Sequence, residues 1–281
     1  MRVKVILVHT GTIFPEYLND CVYQLLKFNI DVHLILSKSL HSNIRYDQIT
    51  LLPSEDYEDY NYKTFRIKHK DFQFRDNFWQ RTSSRFFLIH NYVLMNGIKN
   101  FFHIENDVLL YTDLSKENEI LEKLNYEMNI VIDSNHRCIP SIIWFEDSKI
   151  LSSLTQFIYS NSHNNDMKNI FDFYLNNRDK VDNLPILPSN NSLRYETNLD
   201  YSNNFNLFNS IFDAAAIGQY IGGIHTDEDS IGYVSPDSIF DVSNYTYKWE
   251  NEMPYMIYGN LKVKINNLHI HSKKLNKTIN K

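Results

Sequence analysis

With 281 residues, 43% of them hydrophobic, the chain can bury a sizeable core and is long enough for one large α/β domain or two small ones. A formal net charge of −6, with lysines and arginines scattered except in HSKKLNK near the C-terminus, excludes the concentrated basic face on which nucleic-acid binding depends. Cys21 and Cys138 are too far apart in sequence for a zinc spacing or a disulfide framework, and no run approaches the ~18 apolar residues of a membrane span.

The first stretch, MRVKVILVHTGT, lacks the features of a signal peptide, so a cytoplasmic location is expected. VKVILVHT, from Val3 to Thr10, is a continuous β-branched apolar run that reads as a buried central strand of a parallel sheet, followed by a turn. Residues 16–29 carry Leu18, Val22, Leu25 and Leu26 at helical spacing, and DVHLILS at 31–37 gives a second strand, completing a βαβ unit. After the polar PSEDYEDYNYK, a helix capped by Ser83 or Ser84 and stopping near Gly97 leads into FFHI and then into two carboxylates, Glu105 and Asp107.

NIVIDS (129–134) and SIIWFE (141–146) read as further strands, and the segment opening LSSLTQFIYS reads as one or two helices. Residues 189–206, rich in Asn and Ser, have no apolar period and form a long loop of the kind that carries function. The tail NLKVKINNLHIHSKKLNK alternates as a strand and then runs into histidines and a basic end. There is no internal repeat.

Ligands of open α/β sheets bind at the carboxyl ends of the strands, so the acidic pair after FFHI stands on the ligand edge. Two carboxylates there suit Mg²⁺ or Mn²⁺, whose shell is completed by substrate phosphates; capping of the following turn is the plainer alternative. His269 and His271, one residue apart, share a face if their segment is a strand and can approach one metal or phosphate. Lys273 and Lys274 add positive charge suited to a diphosphate, against the alternative of a frayed tail.

This set resembles the metal-dependent GT-A glycosyltransferases. IENDV stands where that superfamily has its DXD motif, with Glu105 in place of the first Asp. LHIHSK stands where some of its families have a C-terminal metal-binding His and a diphosphate-binding Lys, and Arg85 where the superfamily has an Arg turned toward the nucleotide. The resemblance implies an α/β fold of GT-A type, with a Rossmann-like nucleotide-binding half and a central, mostly parallel sheet flanked by helices. It covers 1–281 as a single domain, with 1–113 as the nucleotide-sugar half and 114–281 as the acceptor half ending in a metal- and phosphate-binding tail.

The resemblance also implies site residues. Glu105, Asp107, His271 and His269 would hold Mn²⁺ or Mg²⁺, with Asp107 the firmer ligand of the pair. His9, Thr10, Gly11, Arg85, Glu105 and Lys273 would bind the nucleotide sugar. Asp213 and Gln219 resemble sugar-hydroxyl binders, with a helix N-cap as the alternative for Asp213. Asp227, Glu228 or Asp229 would supply a general base. Asp133 and Asn135 share the predicted sheet edge, and Trp79 and Trp249 are candidates for stacking on sugar or base, or for the core.

The implied activity is metal-dependent transfer of a sugar from a nucleotide sugar, in the first instance a UDP-sugar, to a glycan, lipid-linked or protein acceptor. Nucleic acid is not an expected partner, and peripheral membrane contact is compatible with the composition. The alternatives are a metal-dependent nucleotidyltransferase or phosphohydrolase, and a non-catalytic sugar-binding domain on a transferase scaffold.

Overall fold

A computed structural model describes residues 2–69, 77–224 and 230–279. The elements follow in chain order as β1 (Lys4–His9), α1 (Tyr17–Lys27), β2 (Asp31–Leu36), β3 (Thr50–Pro53), α2 (Tyr60–Lys68), α3 (Phe78–Asn96), β4 (Phe101–Ile104), β5 (Val108–Leu110), α4 (Ser115–Leu124), β6 (Met128–Ile130) and β7 (Ile142–Phe145). There follow α5 (Ser148–Ser160), α6 (Asp166–Asn176), β8 (Val181–Asn183), α7 (Phe205–Phe208), β9 (Ser210–Ile211), α8 (Ala216–Gly222), β10 (Thr246–Glu250), β11 (Met253–Tyr258), β12 (Leu261–Ile265), β13 (Asn267–His269) and α9 (Asn276–Ile279).

Seven strands form the main sheet in the order β3-β2-β1-β4-β7-β6-β8. Strand β1 lies between β2 and β4, parallel to both, and its Val5, Ile6 and Leu7 are fully buried, as a run apolar on both faces requires. Only β7 runs against the rest, pairing antiparallel with β4 and β6. The expected α/β architecture, a central and mostly parallel sheet flanked by helices, is therefore the one adopted.

The reversal at β7 leaves the carboxyl ends of β1, β4, β6 and β8 on one edge. A second sheet, β10-β11-β12-β9, lies beside the first, and Trp249 on β10 packs edge-on against the buried Tyr111 at 5.4 Å. Trp249 is thus a packing residue.

Helix α3 starts earlier than the sequence indicated. It opens after Asn77, with Ser83 and Ser84 buried in its interior, so neither serine is the cap. Its end is as expected: Gly97 takes φ +60° and its N–H bonds Val93 O, a C-cap that a side chain would strain. Among the described residues no helix is long and apolar enough to cross a membrane.

Candidate metal centre

The site is built where β4 ends. Glu105 N–H donates to Ser141 O on the β7 side (3.1 Å), Val108 N–H closes a turn onto Glu105 O (3.1 Å), and the chain re-enters extended structure as β5. Between the two carboxylates, Asn106 turns the other way and donates from Nδ2 to Val8 O at the end of β1 (2.9 Å). The turn leaves the Glu105 and Asp107 carboxylates on a common side, where both face His269 Nε2.

The C-terminal segment returns to this turn. Strand β13 pairs antiparallel with β5, setting His269 opposite Val108, and Ile270 N–H donates to Asp107 O (2.9 Å). His269 is oriented from behind: its N–H bonds Asp213 Oδ2 (3.0 Å) and its Nδ1–H donates to Ala214 O (2.8 Å). Nε2 therefore points at Asp107 Oδ2 (3.1 Å) and Glu105 Oε2 (3.4 Å). Ligand atoms of Glu105, Asp107 and His269 all lie within 4.8 Å of one another, the one such His/Cys/Asp/Glu group among the described residues.

Packing at this point tolerates no side chain. A Cβ on Gly218 of α8 would stand 2.1 Å from His269 O, so glycine is what lets α8 approach β13 closely enough to bring Ala214 under the imidazole. Asp213 completes the clamp. Its buried carboxylate accepts from the backbone N–H groups of Ile217, Gly218 and His269 at 2.8 to 3.0 Å. That occupancy answers the question its position left open: Asp213 fastens α8 to β13 and offers no free oxygen to a sugar.

Arg85 also differs from its expected place. It is buried on α3, with Nη1 bonded to Glu105 Oε1 (2.6 Å) and Nη2 to Asp166 Oδ2 (2.9 Å) in the first turn of α6. A guanidinium held at both ends by carboxylates orients Glu105 rather than reaching toward a nucleotide. Lys273, by contrast, is half-exposed, ion-paired with Asp107 and seated over the Tyr17 ring (5.6 Å). Its backbone is left-handed (φ +63°), which is uncommon for Lys, whereas most other positive-φ residues here are Asn or Gly.

Electrostatics at the centre follow from these contacts. Burial alone would raise the Asp107 pKa, but His269 and Lys273 outweigh it and hold the carboxyl well below its usual range. For His269, burial opposes the charge, yet the Asp107 and Glu105 carboxylates push its pKa up to about 9. His271 goes the other way, down to about 3, through burial and the neighbouring His269 charge.

His271 does not join the carboxylates. It lies past the end of β13, its Nδ1 accepts from Gln219 Nε2 (2.9 Å), and its ring stands edge-on to His269 at 4.4 Å. Of the two histidines proposed as ligands, His269 is the one brought to the acidic pair.

The remaining candidates divide. His9, Thr10 and Gly11 lie on the same sheet edge; His9 Nε2–H donates to Ile13 O (2.9 Å) and Thr10 Oγ1 to Arg81 O (3.3 Å). Asp133 is buried and bound by Arg137 through Nε and Nη2, so it is committed, and Asn135 links to Tyr201 and Glu196. Trp79 packs edge-on to Phe78. Asp227, Glu228 and Asp229 lie outside the described residues.

Sequence reasoning missed Asp166, Asn106, Gly218 and Tyr17. Only Asn106, inside the motif, and Gly218, a glycine within a helical pattern, carried any local signal.

The donor set fits a hard divalent cation: two carboxylate oxygens and an imidazole nitrogen whose tautomer is fixed by Ala214 O. With its pKa raised to about 9, His269 is protonated at neutral pH, so the three carboxylates (Glu105, Asp107, Asp166) are balanced by Arg85, Lys273 and His269, and a cation held by Glu105, Asp107 and Nε2 would take the place of the His269 proton.

No protein-family profile and no curated protein sequence matches the chain. Among solved structures, mouse xyloside xylosyltransferase 1 in its apo form is similar at TM-score 0.44 and 9% identity, over 65% of this chain and 85% of that one. The glycosyltransferase GlyE of Streptococcus pneumoniae TIGR4 is similar at TM-score 0.42 and 11% identity, over 66% of this chain and 45% of that one. TM-scores below 0.5 carry no argument for function, so the case for one rests on the residues of the site.

Proposed function

We propose that the chain is a metal-dependent glycosyltransferase that moves a sugar from a nucleotide-sugar donor, in the first instance a UDP-sugar, to an acceptor. The observation that carries this reading is the convergence of Glu105, Asp107 and His269 with Lys273 on the carboxyl edge of the sheet. Residues 1–113 would form the donor half and 114–281 the acceptor half, whose tail returns through β13 to complete the donor site.

Glu105, Asp107 and His269 would hold Mn²⁺ or Mg²⁺, which supplies Lewis-acid neutralisation of the diphosphate leaving group. Lys273, mobile enough at its half-exposed position to leave Asp107, places its ammonium on the same diphosphate and stabilises charge that grows as the glycosidic bond breaks. Arg85 and Asp166 keep the Glu105 carboxylate from rotating, and Asp213 and Ala214 do the same for His269. His9, Thr10 and Gly11 border the space for the nucleoside. With Asp213 committed to backbone amides, the acceptor base is sought among Asp227, Glu228 and Asp229.

The test is release of free nucleotide from a panel of nucleotide sugars, with Mn²⁺, Mg²⁺ or chelator. Metal-dependent release from one donor, lost in Asp107→Ala, is the expected result. No release and no binding of any nucleotide sugar would return Glu105 and Asp107 to turn capping.

A further inference from the structure

We infer that the open pocket lined by residues within 190–199 is the acceptor subsite, and that it takes a neutral oligosaccharide. The inference rests on the transferase reading above and narrows its acceptor class.

The cavity has a volume of about 610 Å³, within the ~300–1,000 Å³ of small-molecule sites. Its wall is the long Asn- and Ser-rich segment that follows β8, and Asn135, just past the carboxyl end of β6, bonds Glu196 of that wall, which ties it to the carboxyl edge of the sheet. Although almost without regular structure, the segment is tied down along its length. Tyr201 N–H bonds Asn190 Oδ1 (3.0 Å), and Asn183 Nδ2 bonds Asp200 O (2.7 Å). Asn135, just beyond β6, donates to Glu196 O (3.3 Å) and accepts from the Tyr201 hydroxyl (3.0 Å). Arg194 N–H donates to Ile239 O and Ile239 N–H to Asp133 O, both at 2.7 Å. Fixing irregular backbone costs ~1–2 kcal/mol per residue, so a loop ordered this thoroughly around an open cavity is a preorganised surface.

The lining decides between the acceptor classes. Among the described residues the one cation on it is Arg194, whose guanidinium is consumed by Asp241 (3.1 Å) and Ser235 O (2.8 Å). No free cation remains among the described residues of the lining to receive the pyrophosphate of a lipid-linked acceptor, and two leucines, Leu193 and Leu199, do not make a slot for its chain. What is free is different in kind. The side chains of Glu196 and Asn198 have no hydrogen bond or ion pair among the described residues, and the Tyr195 ring is 52% exposed with its hydroxyl fixed on Pro236 O (3.1 Å). A fixed aromatic face receives the C–H face of a pyranose, while a carboxylate and an amide pair with its hydroxyls.

The experiment measures binding of the full chain, without nucleotide, to an immobilised panel of defined neutral oligosaccharides and, separately, to vesicles carrying a polyprenyl-pyrophosphate sugar. Wild type binds at least one oligosaccharide, and Tyr195→Ala and Asn198→Ala each weaken that binding by about tenfold at an unchanged melting temperature. Asp107→Ala retains it. No oligosaccharide binding, binding indifferent to both cavity variants, or preferential capture by the vesicles overturns the inference. A chain that binds the oligosaccharide but no nucleotide sugar with Mn²⁺ keeps the glycan site and loses the transferase reading; a chain that hydrolyses a donor yet ignores every oligosaccharide loses only the glycan site.

Discussion

The two ends of the main sheet each carry an Asp, a His and a Lys, and among the described residues only one of them gathers two carboxylates and an imidazole within 4.8 Å of one another. At the amino-terminal end, Lys4 pairs with Asp31 (2.6 Å) and lies against His33, which also contacts Asp31 (3.1 Å) and the Tyr92 hydroxyl. At the carboxyl end, Asp107, His269 and Lys273 make the same residue set. The side chain of Asp31 is 40% exposed and that of Asp107 is 8%. Burial and Lys4 push the His33 pKa down, whereas the carboxylates raise that of His269 to about 9. The difference lies in burial and in the number of groups that converge: one half-solvated carboxylate is matched by Lys4, while Glu105, Asp107 and Asp166 meet Arg85, Lys273 and a protonated His269 where little solvent reaches the carboxylates.

Substitutions at the two ends break this comparison in graded ways. Asp107→Ala has the largest effect, a loss of metal-dependent nucleotide release of about a thousandfold or more, equivalent to ~4 kcal/mol of barrier. Asp166→Ala leaves Arg85 buried with one partner and lowers stability by about 3–5 kcal/mol, read by urea unfolding, together with weaker Mn²⁺ affinity because Glu105 is released. Gly218→Ala drives a Cβ into His269 O and costs about 1–3 kcal/mol, with Mn²⁺ affinity falling in step as the imidazole moves.

The amino-terminal cluster responds weakly. Asp31→Ala changes stability by less than about 1 kcal/mol and nucleotide release by no more than about twofold. The smallest effect is the pH dependence at His33. Its folded pKa is below the ordinary 6.5, so the unfolded chain binds a proton that the folded site refuses. Stability present above that value is lost as pH falls through it, and in His33→Gln this part of the slope between pH 7 and pH 5 disappears from unfolding curves.

The same comparison shows how far the sequence could be read. Strand β1, helix α1 and strand β2 were legible to within two or three residues because burial on one or both faces writes a local period. Glu105 and Asp107 were legible because they end an apolar strand. The antiparallel β7 was not, since a short buried strand reads alike in either direction. Asp166 lies far from Glu105 in sequence and meets it only through Arg85, so no spacing announced it. The choice between His269 and His271 hung on where β13 ends: alternation would set both imidazoles on one face, but the strand stops at His269, so only that ring is held against the acids.

The most direct test of the account is titration of Mn²⁺ into the purified chain, followed by electron paramagnetic resonance of the free ion, for wild type, His269→Ala and His271→Ala. The account predicts one site in wild type, affinity lost by about a hundredfold or more in His269→Ala, and little change in His271→Ala. Absence of a Mn²⁺ site in wild type, or equal loss in the two variants, would contradict it.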